Sequence, residues 1–105
     1  MKPKTAFRHK KQALKPGFKF KDIIFHSHHI EGGVQACVEF ENGHWASIVG
    51  CPWDTLLGYA QLYGDGVNNF EILSSITDKP GKYTDVKSWQ TKKQVMGHLK
   101  YMERL

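Results

Sequence analysis

The sequence contains only two cysteines, Cys37 and Cys51, and no long run of apolar residues. Two thiols are too few for a disulfide scaffold or for a four-cysteine zinc site. A membrane-spanning helix needs about 20 consecutive apolar residues, and no apolar segment follows the basic N-terminus as it would in a secretory signal. We therefore expect a cytoplasmic protein with no membrane partner and no disulfide framework.

A recognisable catalytic or cofactor motif is also missing. With 105 residues and 40% hydrophobic residues, the chain suits one small domain that buries roughly 65% of its unfolded surface. Ser-His-Asp and Cys-His-Asn spacings are not evident. Tyr63-Gly64-Asp65-Gly66 superficially resembles a phosphate loop, but a strand is predicted after it instead of a helix N-terminus. We expect a binding protein that is not an enzyme and has no catalytic residues and no cofactor.

Acidic residues are absent from the first 21 positions, which carry eight basic residues. The remaining residues carry seven basic and ten acidic side chains, a net charge of −3. This division predicts a basic flexible arm over residues 1–17 and a single domain over residues 18–105. The arm's candidate nucleic-acid-binding residues are Lys2, Lys4, Arg8, Lys10, Lys11 and Lys15. Phe18 and Phe20 alternate with lysines, so they either stack on bases or, as the alternation favours, begin a strand.

Two alternating segments around Asn42-Gly43 predict a β-hairpin. Asn-Gly is typical of a two-residue turn in which both residues have positive φ. That loop pairs Phe40 with Trp45, and directly paired residues share a face of the sheet. The predicted core face of the hairpin consists of Val34, Ala36, Val38, Phe40, Trp45 and Val49.

A further strand is predicted over residues 23–30, with a turn at Gly32-Gly33. This register places His26 opposite Glu39 and His28 opposite Cys37, four side chains of types that bind zinc. The cluster exists only if this predicted pairing of the strands is correct. We therefore favour ordinary surface histidines over a zinc site and expect no bound metal. Cys37 and Cys51 fall on opposite faces in the same register and are expected to remain unpaired.

The C-terminal half predicts a strand and a helix. In the strand, residues 70–76, the inward side chains are Phe70, Ile72 and Ile76. Thr91 and Gln94 form a capping box that begins the helix, and Gly97 is expected to allow close contact with the sheet. The apolar stripe of the helix is Val95, Met96, Leu99 and Met102. The predicted architecture is α+β: an antiparallel sheet of about four strands with a C-terminal helix packed on one face.

The segment between the predicted strands, residues 52–63, is rich in aromatic and leucine side chains. It either covers the sheet or presents aromatic anchors to a partner. The candidate partner-binding residues are Trp53, Tyr59 and Tyr63.

Residues 40–49 resemble the F-x-N-G-x-x-A-S-V-V hairpin of small uncharacterised proteins encoded by tailed bacteriophages and prophages. The similarity continues, in the same order, with Phe70-Glu71-Ile72, Thr84-Asp85-Val86 and a helix opened by Thr91. It covers roughly residues 38–104, with a longer loop after Cys51. The resemblance implies a phage origin and a compact sheet-plus-helix fold, and it assigns no catalytic residue.

Two functional classes follow. The favoured one is a phage accessory protein that binds and inhibits or modulates a bacterial host protein, for example in anti-defence, inside the host cell. The alternative is a nucleic-acid-binding module that uses the basic arm, which the net acidic charge of the remaining residues disfavours. A weaker alternative is a small-ligand binder that sequesters a nucleotide.

Overall fold

A computed structural model describes residues 11–27, 33–51, 64–76 and 87–105. The described strands form one mixed sheet in the order β1-β3-β4-β5-β6, and β2 also pairs with β3. Only the β1–β3 pair among them is parallel. The elements are β1 (Gln12–Ala13), β2 (His26–Ser27), β3 (Val34–Glu39), β4 (Trp45–Gly50), β5 (Asn69–Ser74), β6 (Lys87–Thr91) and α1 (Lys92–Glu103). The α+β class and the C-terminal helix are confirmed, although the sheet has six described strands instead of about four.

Strand β1 lies within the stretch that composition assigns to the arm. Gln12 and Ala13 pair with Val38 and Glu39 of β3, and the next residue, Leu14, is only 6% exposed. Residues 11–17 therefore include side chains that pack against the sheet, so the folded part begins before the predicted boundary. Residues 1–10 lie outside the described residues, and a flexible arm there stays a prediction.

Strand β6 is an edge strand that the sequence did not predict. Its pairing with β5 shifts between Phe70, which faces Gln90, and Ile72, which faces Lys87. Between these two pairs the chain advances by three residues in β6 but by only two in β5, which is a β-bulge. Trp89 lies within this bulge at φ 56. The bulge breaks the period-2 alternation by which a strand is recognised in a sequence.

The β3–β4 hairpin has a register that differs by one residue from the predicted one. Ala36 faces Ile48 and Val38 faces Ala46. Ala46 and Ile48 are consequently buried in the core, and the prediction that Trp45 and Val49 lie there is wrong. Both of those residues are half-buried, on the opposite face.

The loop geometry explains this shift. Gly43 N donates to Phe40 O at 2.9 Å, and Phe40 N donates to His44 O at 2.9 Å. Gly43 has φ 92, whereas Asn42 is not among the positive-φ residues that the structure describes. This is a three-residue loop with one left-handed residue, not the predicted two-residue loop with two. One additional loop residue turns every side chain of β4 to the other face.

The core lies between the sheet and α1. Gln94 N donates to Thr91 Oγ1 at 3.1 Å and Thr91 N donates to Gln94 Oε1 at 2.8 Å, which confirms the predicted capping box. The predicted inward positions of β3, β5 and the helix are also confirmed. The buried cluster is Leu14, Phe18, Ile23, Ala36, Val38, Phe40, Ala46, Ile48, Phe70, Ile72, Val95, Leu99 and Met102.

The chain between β1 and β2 forms a single 3₁₀ turn at Phe20–Asp22, where the sequence predicted the start of a strand. Lys19 N donates to Asp22 Oδ2 at 2.8 Å, which closes the turn. Gln12 holds the segment to β1, since Ile24 N donates to its Oε1 at 2.8 Å. These bonds favour a turn over the extended conformation that alternation predicts.

Candidate nucleic-acid interface

Two phenylalanines connect the 3₁₀ segment to α1. The Phe18 ring is 5% exposed and lies 5.8 Å from the ring of Phe40. The Phe20 ring lies 5.5 Å from that of Phe70. Lys100 Nζ is 3.8 Å from the Phe18 ring centroid, and Lys92 Nζ is 5.4 Å from that of Phe20. Both distances are within the cation–π range of about 6 Å, so the rings fix the helix lysines beside the 3₁₀ segment.

This packing brings basic side chains from distant parts of the chain together. At 3.6 residues per turn, the four basic residues of α1 and its C-cap occupy about 120° of the helix circumference. That side of α1 borders the segment that carries Lys19 and Lys21, both of which are exposed. We call this set the basic surface: Lys19, Lys21, Lys92, Lys93, Lys100 and Arg104.

Carboxylates near these cations are few among the described residues. Asp22 is engaged in its own turn through Lys19 N. Glu39 lies on the other side of the sheet, where its Oε2 is 4.0 Å from Lys11 Nζ. Glu71 accepts a hydrogen bond from Ser88 Oγ at 3.2 Å, and burial is the main cause that raises its pKa. Glu103 lies on α1 among these cations, next to Arg104. Cations therefore outnumber carboxylates on this side of α1, although residues 22–105 are acidic in sum.

The two phenylalanine rings are not available for base stacking. Phe18 is buried beneath Lys100. Phe20 lies 5.8 Å from the Phe25 ring and has Lys92 over its face. The rings therefore position cations, whereas one hypothesis from the sequence had them contact bases directly.

The predicted site residues fare unequally. Lys15 is exposed at the start of the turn whose Phe18 N donates to Lys15 O at 3.1 Å, and Lys11 contacts Glu39. The remaining candidate residues lie outside the described ranges: Lys2, Lys4, Arg8, Lys10, Trp53, Tyr59 and Tyr63.

Gly97 has a different environment from the one predicted. It is exposed on α1, and a Cβ atom built at this position meets nothing within 4 Å. The prediction of a close contact with the sheet is therefore wrong. Glycine in a helix interior costs about 1 kcal/mol relative to alanine, and packing within the described residues does not offset this cost.

The histidine–cysteine arrangement differs from the predicted one. His26 faces Gln35 instead of Glu39, and Cys37 is 3% exposed. His28 lies outside the described residues. Within the described ranges, no group of three or more metal-ligating side chains is present. Cys37 and Cys51 are both buried, and they are not joined by a disulfide bond.

Two serine–histidine pairs connect adjacent elements. Ser74 Oγ is 3.1 Å from His98 Nε2, and Ser75 Oγ is 2.8 Å from His44 Nδ1. Burial, followed by the charge of Lys87, lowers the pKa of His98. Ser74 is fully buried, which withholds its hydroxyl from a substrate. Ser75 Oγ accepts from Trp45 N at 3.1 Å, so the two serines act as ties to the helix and the hairpin.

Asn42 has a role that the turn motif did not reveal. Its Nδ2 donates to the carbonyl oxygens of Met102 at 2.9 Å, Leu105 at 3.1 Å and Glu103 at 3.3 Å. Its Oδ1 accepts from His44 N at 3.0 Å. The hairpin loop thus caps the C-terminal end of α1, a contact across about 60 residues that local sequence cannot indicate.

A cavity of about 370 Å³ adjoins this cap. Its lining includes the acidic residues Glu41 and Glu103. One carboxylate oxygen of Glu103 is buried and has no hydrogen-bond partner among the described residues. Two carboxylates repel phosphate groups at short range. The cavity therefore does not suit the anionic nucleotide of the weakest hypothesis.

No protein-family model, no curated protein and no solved structure matches this chain. None of the helices in the described ranges has the length and apolar character that bilayer crossing requires.

Proposed function

We propose that this protein binds nucleic acid through the basic surface, by contacts between its lysine and arginine side chains and the phosphate groups. The observation that carries this proposal is the position of Lys92 and Lys100 over the rings of Phe20 and Phe18. Those rings bring the cations of α1 beside Lys19 and Lys21. A continuous set of cations matches the regular negative charge of a nucleic-acid backbone.

Prior ordering of the lysines favours binding. A lysine side chain loses conformational entropy when a ligand immobilises it. The ammonium groups of Lys92 and Lys100 already lie over aromatic rings, so part of that loss precedes binding. Lys93 and Arg104 are exposed on the same side of the helix. The folded domain therefore supplies an electrostatic surface of its own, to which the basic residues before position 11 would add.

The test measures affinity and its salt dependence by fluorescence anisotropy on a labelled duplex DNA and on a labelled single strand of the same length. The slope of log K against log salt is roughly −0.7 to −0.9 per phosphate contacted. The test variant carries Lys19→Gln, Lys21→Gln, Lys92→Gln and Lys93→Gln. If each lysine contacts one phosphate, the slope becomes shallower by about 3 to 4 and affinity falls at least tenfold.

Lys87→Gln is the matched control, because Lys87 is an exposed lysine near His98, outside the basic surface. It should leave the salt slope within error of wild type. Circular dichroism spectra confirm that both variants are folded. Equal affinity of the quadruple variant and the wild type would overturn the proposal, as would the absence of salt-sensitive binding by the wild type.

A deletion distinguishes the contribution of the basic surface to binding from that of residues 1–10. Removing residues 1–10 deletes four basic residues and leaves β1 intact. We expect the shortened protein to bind more weakly but with a salt slope that still responds to the quadruple substitution. Complete loss of binding on deletion would assign the activity to the arm instead.

Inhibition of a bacterial host protein is a separate proposal. Its candidate contacts Trp53, Tyr59 and Tyr63 lie outside the described residues, and the exposed side chains of Trp89 and Tyr101 are the described features that favour a protein partner. Affinity purification from host cells, with nuclease treatment, tests it. A protein that is retained after nuclease and lost on joint alanine substitution of the three contacts would support this function.

A further inference from the structure

Gly97 lies at the edge of a narrow basic strip on α1. Lys93, Gly97, Lys100 and Arg104 are spaced at i, i+4, i+7 and i+11. At 3.6 residues per turn, these positions lie within about 60° of one side of the helix. Three of the four carry positive charge, and these three belong to the basic surface. The fourth has no side chain.

Neither the backbone conformation of Gly97 nor the packing of the residues that the structure describes explains this glycine. Gly97 is not among the described glycines with positive φ, so its backbone suits any residue. A Cβ atom there meets nothing within 4 Å among the described residues, so this part of the fold leaves room for a methyl group. Alanine would favour the helix more strongly. A helix glycine without a side chain can let another molecule approach the backbone closely.

We propose that Gly97 is the point at which the backbone of α1 comes closest to the phosphodiester backbone of the bound nucleic acid. This inference rests on the proposed function. Lys93 and Arg104 then contact phosphates on either side of that point, with Lys100 between them. The bare helix surface at Gly97 lets the ligand lie near the base of these side chains, instead of at the limit of their reach.

The position of Lys100 makes the approach distance important. Its Nζ lies 3.8 Å from the Phe18 ring centroid, so it cannot extend toward a displaced ligand without leaving that ring. A side chain at position 97 would hold the nucleic acid away from the helix. It would thereby weaken phosphate contacts that a purely long-range attraction would retain.

The experiment uses three variants of the full chain: Gly97→Ala, Gly97→Leu and Gly97→Lys. Thermal unfolding is recorded beside the dissociation constant on the duplex and on the single strand. Alanine should raise the midpoint of unfolding because it favours the helix, while weakening binding. Leucine should weaken binding about tenfold or more, the equivalent of losing one charge-assisted contact.

Gly97→Lys distinguishes close approach from net charge. An added positive charge should tighten binding if attraction alone matters, and should weaken it if the helix backbone must be close to the phosphates. Ala13→Leu is the control for added bulk, since Ala13 is exposed and pairs with Glu39 on the other side of the sheet. It should change the dissociation constant by less than about twofold, as is usual for a surface substitution away from the ligand.

The outcomes separate this inference from the proposed function. Wild-type binding that is salt-sensitive, together with unchanged affinity in Gly97→Leu or tighter binding in Gly97→Lys, overturns the inference and leaves the proposed function standing. If the wild type shows no salt-sensitive binding, both are overturned. If the Gly97 variants lose affinity for the single strand but not for the duplex, contacts specific to an unpaired strand explain the loss. That result would also overturn the inference.

Discussion

The two faces of the central sheet differ in chemistry although both contain buried residues. On the helix side, Ala36, Val38 and Ile48 are completely buried in an apolar cluster. On the other side, Gln35 and Ser47 are 1% and 4% exposed, and Gln35 Nε2 donates to Ser47 Oγ at 2.9 Å. The first face depends on the exclusion of water from apolar atoms. The second also depends on the hydrogen bond between Gln35 and Ser47, which makes it more sensitive to the removal of one partner.

Adjacent residues of β4 give the largest expected contrast between the faces. Ile48→Ala should reduce the free energy of unfolding by about 2–5 kcal/mol, because it creates a cavity in the closed core. Val49→Ala should cost at most about 1 kcal/mol, because Val49 is half-buried on the other face. Chemical denaturation measures both values. A larger loss of stability for Val49→Ala than for Ile48→Ala would contradict the observed register and favour the register of a two-residue loop.

The polar face gives a smaller contrast. Ser47→Ala removes the acceptor for Gln35 Nε2 and should cost about 1–3 kcal/mol, the range for leaving one buried partner unsatisfied. The double variant Gln35→Met and Ser47→Ala removes both partners and should cost less than Ser47→Ala alone. Urea denaturation of the single and double variants tests this. A double variant less stable than Ser47→Ala alone would contradict it.

The smallest expected effect is a pH dependence at His98, where α1 meets β5. Its pKa is below the ordinary 6.5, chiefly because of burial and then because of Lys87. The folded state therefore favours the neutral ring, and the unfolded state binds the proton more readily. Stability from this group is fully present above pH 6.5 and is lost as pH falls through the lowered pKa.

His98→Gln should reduce the fall in melting temperature between pH 7 and pH 5. The comparison is made between the variant and the wild type, because burial raises the pKa of Glu71 above 4.5. Glu71 contributes stability below that value and loses it as pH rises, which is the opposite direction. An identical pH profile for both proteins would exclude His98 as the cause.

The contrast between the faces also explains which parts of the fold the sequence could predict. The helix was evident because Thr91 and Gln94 form a local cap and its apolar stripe recurs at helical spacing. The inward positions of β5 were evident from alternation. The register of β4 was not evident from the sequence. Ala46 and Ile48 are together about as apolar as Trp45 and Val49, so either pair could face the core. Loop geometry, not hydrophobic pattern, decides between them.

The basic surface shows the same limit at the level of function. The lysines clustered in residues 1–21 predicted an interaction with polyanions. They predicted it for a flexible arm, and not for a surface of the folded domain. The surface requires Lys100 to meet Phe18 and Lys92 to meet Phe20, contacts across more than 70 residues. Summing charge over residues 22–105 concealed these cations, because the same range holds ten acidic residues. Such a juxtaposition is a property of tertiary packing, which periodicity and composition do not encode.

The short strands beside the 3₁₀ turn have a consequence for the exchange of amide hydrogens. β1 and β2 each pair with β3 through only two residues, whereas β3 and β4 pair through six. Segments with few ladder bonds open locally at the lowest free energy. Opening between β1 and β2 would carry Lys19 and Lys21 away while Lys92 and Lys93 stay on the helix. A polyanion that bridges both groups would therefore slow deuterium uptake most over residues 18–24, far more than in β4.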